Sequence, residues 1–570
     1  MLTTDKAACN ILADLLVAHG VKDVVLSPGS RNAPLIVALS RRRELRCVTV
    51  IDERSAAFTA LGLALQSGGA AALVCTSGSA LLNYAPGVAE AFYRKVPLIV
   101  VSADRPSQWI DQDDSQTLRQ RGALTSVVKE SYDIPAGIES SADGLWLADR
   151  LINDALLTAL GGRRAPVHIN MQLDAPLNRD QATYNCGSAR SIAAVTPRAD
   201  LTVAHARELG QRLASPRKVM VVCGFSQPDS RLNRALGRLA MLPNVTVLTE
   251  SVANLHSPLF ISRIDTTLSA MTAGERLDMR PDTVITTGGA LVSRQIKEYL
   301  RSLSPLDHWH VGLSHTTIDC FRRLTLRVDM EPAVFFQQIA AAMQPHRAEC
   351  DYAGQWQRLR ARAIERHDAF VNDAPWSDMK AFATIIPLIP SRWDVHLSNG
   401  TPIRYAQLMD CSRLHRCDCN RGVSGIDGST ATAIGASLGY ETDSTLLISG
   451  DMSAQYDIGS LFGSHVPARF RMIVIANGGG GIFRFIGATS ALPEVDARLA
   501  CRVSVPWSDI GRALGWRCFE CENEADIRRH WNDFSDKSAD TPALMTVTTD
   551  GALSANLLKR YFNIGQDSGF

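Results

Sequence analysis

Twice in this chain, short β-branched runs alternate with stretches of helical period, and that alternation restricts the fold more than any other feature. In the first third, Val21 to Ser27, Cys47 to Ile51, Ala70 to Cys75 and Pro97 to Ala103 read as strands, each followed by a small or polar turn and a helical pattern. Trp393 to Leu397, Thr445 to Ser449, Arg471 to Ala476 and Ala543 to Thr548 repeat the arrangement near the C-terminus. Strands separated by helices cannot pair as hairpins, so they form parallel sheets with helices on both faces. Between the two lies a second unit of the same class, predicted from Lys218 to Gly224, Val245 to Thr249, Thr283 to Gly289 and His308 to Leu313. The expected organisation is three α/β domains, at 1–184, 198–345 and 376–570. A polar linker runs from about Asn185 to Asp200, and a charged helical connection from about Pro345 to Ser377.

Charge excludes several function classes. With 59 basic and 58 acidic residues in 570, the chain has no global field to draw nucleic acid or an anionic membrane, so an anionic ligand must be met by local arginines. The first apolar stretch, Ile11 to Ala18, carries Asp14 and is unlike a signal-peptide core. No segment approaches the roughly 18 uninterrupted apolar residues of a membrane span, and a cytoplasmic protein is expected. The cysteines are scattered, most within apolar strand-like text such as Cys75 and Cys223, which suits reduced core thiols. Cys411, His415, Cys417 and Cys419 form one cluster and Cys518 with Cys521 a CxxC, but their spacings match no zinc-knuckle pair.

In open parallel sheets, ligands gather where strands end. The turns there read Ser-Pro-Gly-Ser-Arg at 27 to 31, Asp-Glu-Arg at 52 to 54, Thr-Ser-Gly-Ser-Ala at 76 to 80 and Asp-Arg-Pro at 104 to 106. The last unit carries the strongest signal. Leu446 to Gly450 is followed by Asp451-Met452-Ser453-Ala454 and, one helical segment later, by Met472 to Ala476 and Asn477-Gly478-Gly479-Gly480-Gly481. A right-handed crossover brings both strand ends to one edge, so Asp451 and Asn477 face one point and offer hard oxygen ligands suited to Mg²⁺ or Ca²⁺. The helix beginning near Ser453 aims free N–H groups at a phosphate. Singly, Gly-Asp is also an ordinary turn with a helix cap, and a glycine run an ordinary loop. Their joint spacing gives the site.

The Asp451 and Asn477 pair resembles the metal-diphosphate motif of thiamine-diphosphate enzymes. Ser-Pro-Gly-Ser-Arg-Asn-Ala-Pro-Leu (27 to 35), Asp-Glu-Arg (52 to 54), Thr-Ser-Gly-Ser-Ala (76 to 80), Ser-Ala-Asp-Arg-Pro (102 to 106), Ser-Gln-Thr-Leu-Arg-Gln (115 to 120), Asn-Arg-Gly-Val-Ser-Gly-Ile-Asp-Gly (420 to 428) and Gly-Asp-Met-Ser-Ala-Gln-Tyr-Asp (450 to 457) narrow it further. Together they are similar to the signatures of the 2-succinyl-5-enolpyruvyl-6-hydroxy-3-cyclohexene-1-carboxylate synthase family of the menaquinone pathway. That resemblance implies a thiamine-diphosphate-binding fold in the first and third domains. It implies Asp451, Asn477 and the Gly479 carbonyl as ligands to Mg²⁺ or Mn²⁺. Cofactor contacts would come from Ser30, Ser77, Gly78, Ile426, Gly450, Met452, Ser453 and Ile482, with Ile426 as the apolar wedge that bends the cofactor. Glu53 would hydrogen-bond the cofactor's pyrimidine so that the cofactor's own amino group acts as base; on position alone, Glu53 is also an ordinary helix-N-terminal acid.

The family's substrates, 2-oxoglutarate and isochorismate, are dicarboxylates, and planar guanidinium groups suit carboxylates. The resemblance therefore implies Arg31, Arg105, Gln116, Arg404 and Arg421 as substrate-binding residues, all but Arg105 also catalytic, and Arg294 from the central domain. Gln295 and Gly400 depart from the family pattern. Because Glu53 and Asp451 lie on different domains, the resemblance also implies a site shared between chains of a homodimer or a dimer of dimers (homotetramer). Two other readings stay open at this point: a carboligase of the acetohydroxyacid synthase type acting on pyruvate, and a non-catalytic nucleotide-binding α/β protein.

Overall fold

The computed structural model describes residues 2–175, 177, 182–214, 216–304, 306–314, 316–343, 350–439, 443–463 and 465–563. The expected start of the helical connection at Pro345 lies outside the described residues.

Three parallel sheets carry the fold. The first contains Asp23–Leu26, Arg46–Thr49, Ala71–Cys75, Leu98–Asp104, Ser131–Ile134 and Val167–Gln172. The last contains Asp394–Leu397, Arg416–Cys419, Thr445–Gly450, Phe470–Ala476, Arg517–Cys521 and Ala543–Thr548. Numbered within each sheet, both run 2-1-3-4-6-5, so the outer units share one topology. The central sheet of five, Val219–Cys223, Val245–Thr249, Thr283–Thr287, Asp307–Val311 and Leu324–Val328, runs 2-1-3-4-5. In each sheet the order reverses between strands 1 and 3. That is the switch point beside which open α/β sheets bind ligands.

Sequence reading finds the first four strands of each sheet except Arg416–Cys419, and misses the later ones apart from Ala543–Thr548. Arg416–Cys419 is hidden because Arg-Cys-Asp-Cys places two charges where a buried strand calls for apolar residues. Those charges are satisfied across units. Asp418 accepts from Arg94 at 2.6 Å and from Arg416 at 2.9 Å. Burial opposes its ionisation, but the two guanidinium groups overcome that and hold its carboxyl well below the ordinary range. At and just before this strand, Cys411, Cys417 and Cys419 are buried, and His415 bonds Asp394 at 2.7 Å.

The outer units meet through two helices, Glu53–Ser67 and Ser429–Ser437. A Cβ on Gly62 would lie 2.1 Å from the Thr432 carbonyl oxygen, and one on Gly435 2.1 Å from that of Thr59. Only glycine permits so close an approach of backbones. Among the described residues, no helix is long and apolar enough to cross a membrane.

Candidate active site

Asp451 opens a short helix directly after Thr445–Gly450, and Asn477 follows the neighbouring strand Phe470–Ala476. The Asp451 carboxylate closes the gap between the strands. One oxygen accepts from the Gly478 and Gly479 amides at 2.9 and 3.0 Å, the other from Met452 at 2.7 Å. Burial pushes its pKa up to about 6, offset by these backbone bonds. Gly479, at φ +136°, packs against the Ala500 and Cys501 carbonyl oxygens, each 2.3 Å from where a Cβ would stand. The Asn477 amide donates to Asp378 at 2.8 Å, while its carbonyl oxygen is buried with no hydrogen-bond partner among the described residues. A buried carboxylate beside an unsatisfied amide oxygen is a donor set that fits a divalent, oxygen-seeking cation.

Around this point, Ser453 donates to the Ile426 carbonyl at 2.5 Å and Gly450 donates to Ser398 at 3.1 Å. Ile426 and Met452 are half-buried, and Ile482 lies in the helix Gly481–Phe485 that the glycine run leads into.

Arg404 rises from Thr401–Ala406, behind the first strand of the last sheet. It makes no hydrogen bond or ion pair among the described residues. Burial, reinforced by the neighbouring Arg421 charge, lowers its guanidinium pKa to about 10. It lines a cavity of about 300 Å³ with Arg276, Arg294, Asp265 and the apolar Phe485 and Ile486. Among the described residues, Arg294 is tied there only to Glu298, at 3.4 Å. Arg421 donates to Asn399 at 2.9 Å.

The remaining candidates gather at the corresponding edge of the first sheet. Arg31 donates to the Leu173 carbonyl at 2.9 Å, and burial with the nearby Arg105 charge lowers its pKa. Arg105 bonds Asp114 at 2.8 Å and the Ser115 carbonyl at 3.1 Å, which holds the Gln116 turn at φ +55°. Gly78 lies against that turn: a Cβ on it would stand 3.6 Å from the Gln116 backbone. The Ser77 hydroxyl is buried without a partner among the described residues. Ser30 is exposed in the turn after the first strand. Glu53 is the first residue of its helix, and among the described residues its carboxylate makes no hydrogen bond or ion pair. Its charge reaches Cys75 and Tyr84, whose own ionisation burial already disfavours.

The structure thus assembles two groups, one from the last unit with Arg294 and one from the first. Residues 7–123 match the family model described as "Thiamine pyrophosphate enzyme, N-terminal TPP binding domain". The whole chain is similar to curated 2-succinyl-5-enolpyruvyl-6-hydroxy-3-cyclohexene-1-carboxylate synthases. It is 40% identical to that of Porphyromonas gingivalis, over 98% of this chain and 97% of the relative. It is 36% identical to that of Bacteroides fragilis, over 98% and 99%. With the protein of Flavobacterium johnsoniae it shares 33%, over 98% of each. The chain belongs to the 2-succinyl-5-enolpyruvyl-6-hydroxy-3-cyclohexene-1-carboxylate synthase family. As a member of this synthase family it is a thiamine-diphosphate-dependent enzyme that forms carbon–carbon bonds.

Several contacts that organise this synthase site carry no sequence signal of their own. Asn399 donates to the Asn420 and Gly425 carbonyls at 2.6 and 2.7 Å and accepts from Arg421, shaping the loop that bears Arg421 and Ile426. Glu90, buried in the first unit, accepts from the Gly422 and Val423 amides at 2.8 and 2.7 Å across 332 and 333 residues of sequence. Glu250 accepts from Val292 and Ser293 at 2.8 Å and so fixes the start of the helix that carries Arg294. No local periodicity encodes partners so far apart in sequence.

Proposed function

We propose that this synthase decarboxylates 2-oxoglutarate and joins the remainder to isochorismate by 1,4-addition in menaquinone biosynthesis, using thiamine diphosphate held by Mg²⁺ or Mn²⁺. The cofactor supplies, when bound, the carbanion-stabilising chemistry that decarboxylation and addition both require. Asp451, the Asn477 amide oxygen and the Gly479 carbonyl hold the cation, and Gly450, Met452 and Ser453 line the diphosphate. Glu53 would hold a proton at the pyrimidine, Ile426 would be the apolar wedge against the cofactor, and Ser30, Ser77, Gly78 and Ile482 would complete its cradle. Arg31, Arg105 and Gln116 at one side, and Arg294, Arg404 and Arg421 at the other, bind and orient the substrate carboxylates. In this reading residues 1–184 take the pyrimidine, 198–345 form the central domain and 376–570 take the diphosphate.

The observation that carries the reading is Arg404: a largely buried guanidinium with no hydrogen bond or ion pair among the described residues, facing a cavity it shares with Arg294 and Asp265. A buried charge that no hydrogen-bonded partner meets is costly, and a dicarboxylate supplies that partner by charge-assisted bonds. A site between two chains, as in a homodimer or dimer of dimers, is supported by the position of Glu53. The adjacent Arg54 donates to the Tyr456 carbonyl at 2.9 Å, at the far end of the helix Asp451–Tyr456. Glu53 and Asp451 thus belong to different units, and in this reading the Glu53 that completes a site comes from the other chain. The proposed compartment is the cytoplasm, which the buried thiols of Cys9, Cys75, Cys223 and Cys411 support. The test supplies Mg²⁺, thiamine diphosphate, 2-oxoglutarate and isochorismate and follows the loss of isochorismate absorbance. Turnover with 2-oxoglutarate and none with pyruvate is expected; preference for pyruvate would overturn the substrate assignment.

A further inference from the structure

The Asn477 side chain has two chemically opposite ends, and only one of them is a cation ligand. Rotating the amide by 180° exchanges oxygen for NH₂ with almost no change in shape, so its orientation is set entirely by hydrogen-bond partners. Asp378 supplies the partner. It begins the helix Asp378–Leu388, is 1% exposed, and accepts from Asn477 Nδ2 at 2.8 Å through one oxygen and from the Thr549 hydroxyl at 2.6 Å through the other. Its own backbone amide donates to Ser554 at 3.0 Å. A carboxylate can only accept, so it selects the NH₂ end of Asn477 and leaves the amide oxygen turned the other way, where it is buried and without a partner among the described residues.

We propose that Asp378 is the positioning residue that determines which end of Asn477 faces the cation. The inference rests on the cation reading given above and deepens it: the cation requires Asn477, and Asn477 requires Asp378 to present oxygen rather than nitrogen. Groups behind a metal ligand set its orientation in just this way. The position is absent from the family motifs in the sequence. It lies 99 residues before Asn477, just past the helical connection that sequence reading ends at about Ser377.

Replacing Asp378 by asparagine inverts the selection. Thr549 holds the carbonyl oxygen of the introduced amide, whose NH₂ then faces Asn477. Two donors meet, and Asn477 rotates to offer its oxygen to position 378 and its NH₂ to the cation. Adding Asn477→Asp repairs this, because a carboxylate presents oxygen at both ends. The exchange D378N/N477D keeps the total charge and shape of the pair.

The experiment measures Mn²⁺ affinity by electron paramagnetic resonance in the presence of thiamine diphosphate, for wild type, D378N, N477A and D378N/N477D, with far-ultraviolet circular dichroism to establish folding. The expected result is a loss of about 10- to 100-fold in D378N, a comparable loss in N477A, and recovery to within about threefold of wild type in the exchanged pair. An unchanged D378N beside a weakened N477A would overturn the positioning role and leave the cation reading standing. An unchanged N477A would remove Asn477 as a ligand and overturn both. A weak D378N that the exchange fails to rescue would make Asp378 a merely structural residue. Should D378N fold poorly, the exchanged pair decides alone: near-wild-type Mn²⁺ binding supports the inference and a tenfold loss overturns it.

Discussion

Arg404→Met should make the ligand-free protein more stable and the enzyme worse. Met keeps the apolar length of the side chain and removes its charge. Burial holds the guanidinium at about 10 against an ordinary 12.5. At about 1.4 kcal/mol per unit, that difference sets a ceiling of about 3 kcal/mol on what the charged form costs the fold. Water in the cavity screens part of it, leaving about 1–2 kcal/mol. The sign follows from protonation: below pH 10 the side chain is charged in both folded and unfolded chains, so the whole penalty operates at neutral pH. For a unit of this size, relief should raise the thermal midpoint by about 2–6 °C. With substrate present the balance reverses, because charge-assisted hydrogen bonds to a carboxylate, about 1.5–3 kcal/mol, are lost. That corresponds to a fall in kcat/KM of about 10- to 150-fold. Differential scanning fluorimetry without ligands and steady-state kinetics with both substrates test the two halves separately. A variant no more stable than wild type, with kcat/KM within twofold, would refute the reasoning.

Glu53→Gln should lower turnover by about 100- to 10,000-fold while calorimetry still finds thiamine diphosphate bound, because only a proton-holding group is lost; wild-type-like turnover would remove its role. Gly435→Ala drives a methyl group into the Thr59 carbonyl and should cost about 3 kcal/mol in denaturant unfolding, whereas Gly237→Ala, in a helix with open space around it, should stabilise by about 0.5–1 kcal/mol. His367, buried against the Tyr561 hydroxyl at 2.9 Å, has its pKa pushed down by burial to about 4. The unfolded chain therefore takes up the proton first, so this contribution is intact above about pH 6.5 and lost as pH falls towards 4. Compared with His367→Gln, wild type should lose up to about 3 kcal/mol of relative stability across that range, read from urea unfolding at successive pH values.

The strands legible in the sequence are those with apolar, β-branched text on both faces, which parallel sheets buried on both sides demand. Val245–Thr249 and Ala543–Thr548 are readable to the residue. Ser131–Ile134 and Arg517–Cys521 lie at sheet edges, where one flank needs no partner and the text turns mixed. The glycine, acid and asparagine positions of the proposed site are legible because backbone approach and, in that reading, cation ligation restrict those residue types sharply. Asp378, Glu90 and Glu250 are not. Each acts by accepting or donating one or two bonds to a loop remote in sequence, and a buried polar residue satisfied at long range looks locally like any other.

The central claim is that Glu53 of one chain and Asp451 of another serve a single cofactor. Co-expressing two separately tagged, inactive variants, E53Q and D451A, and purifying the mixed dimer through both tags tests it most directly. With sites built between chains, the mixed dimer holds one site with both residues intact and one with neither, so activity should return to about half that of wild type. If each site lies within one chain, every site in the mixed dimer is damaged. A mixed dimer as inactive as its parents would contradict the account.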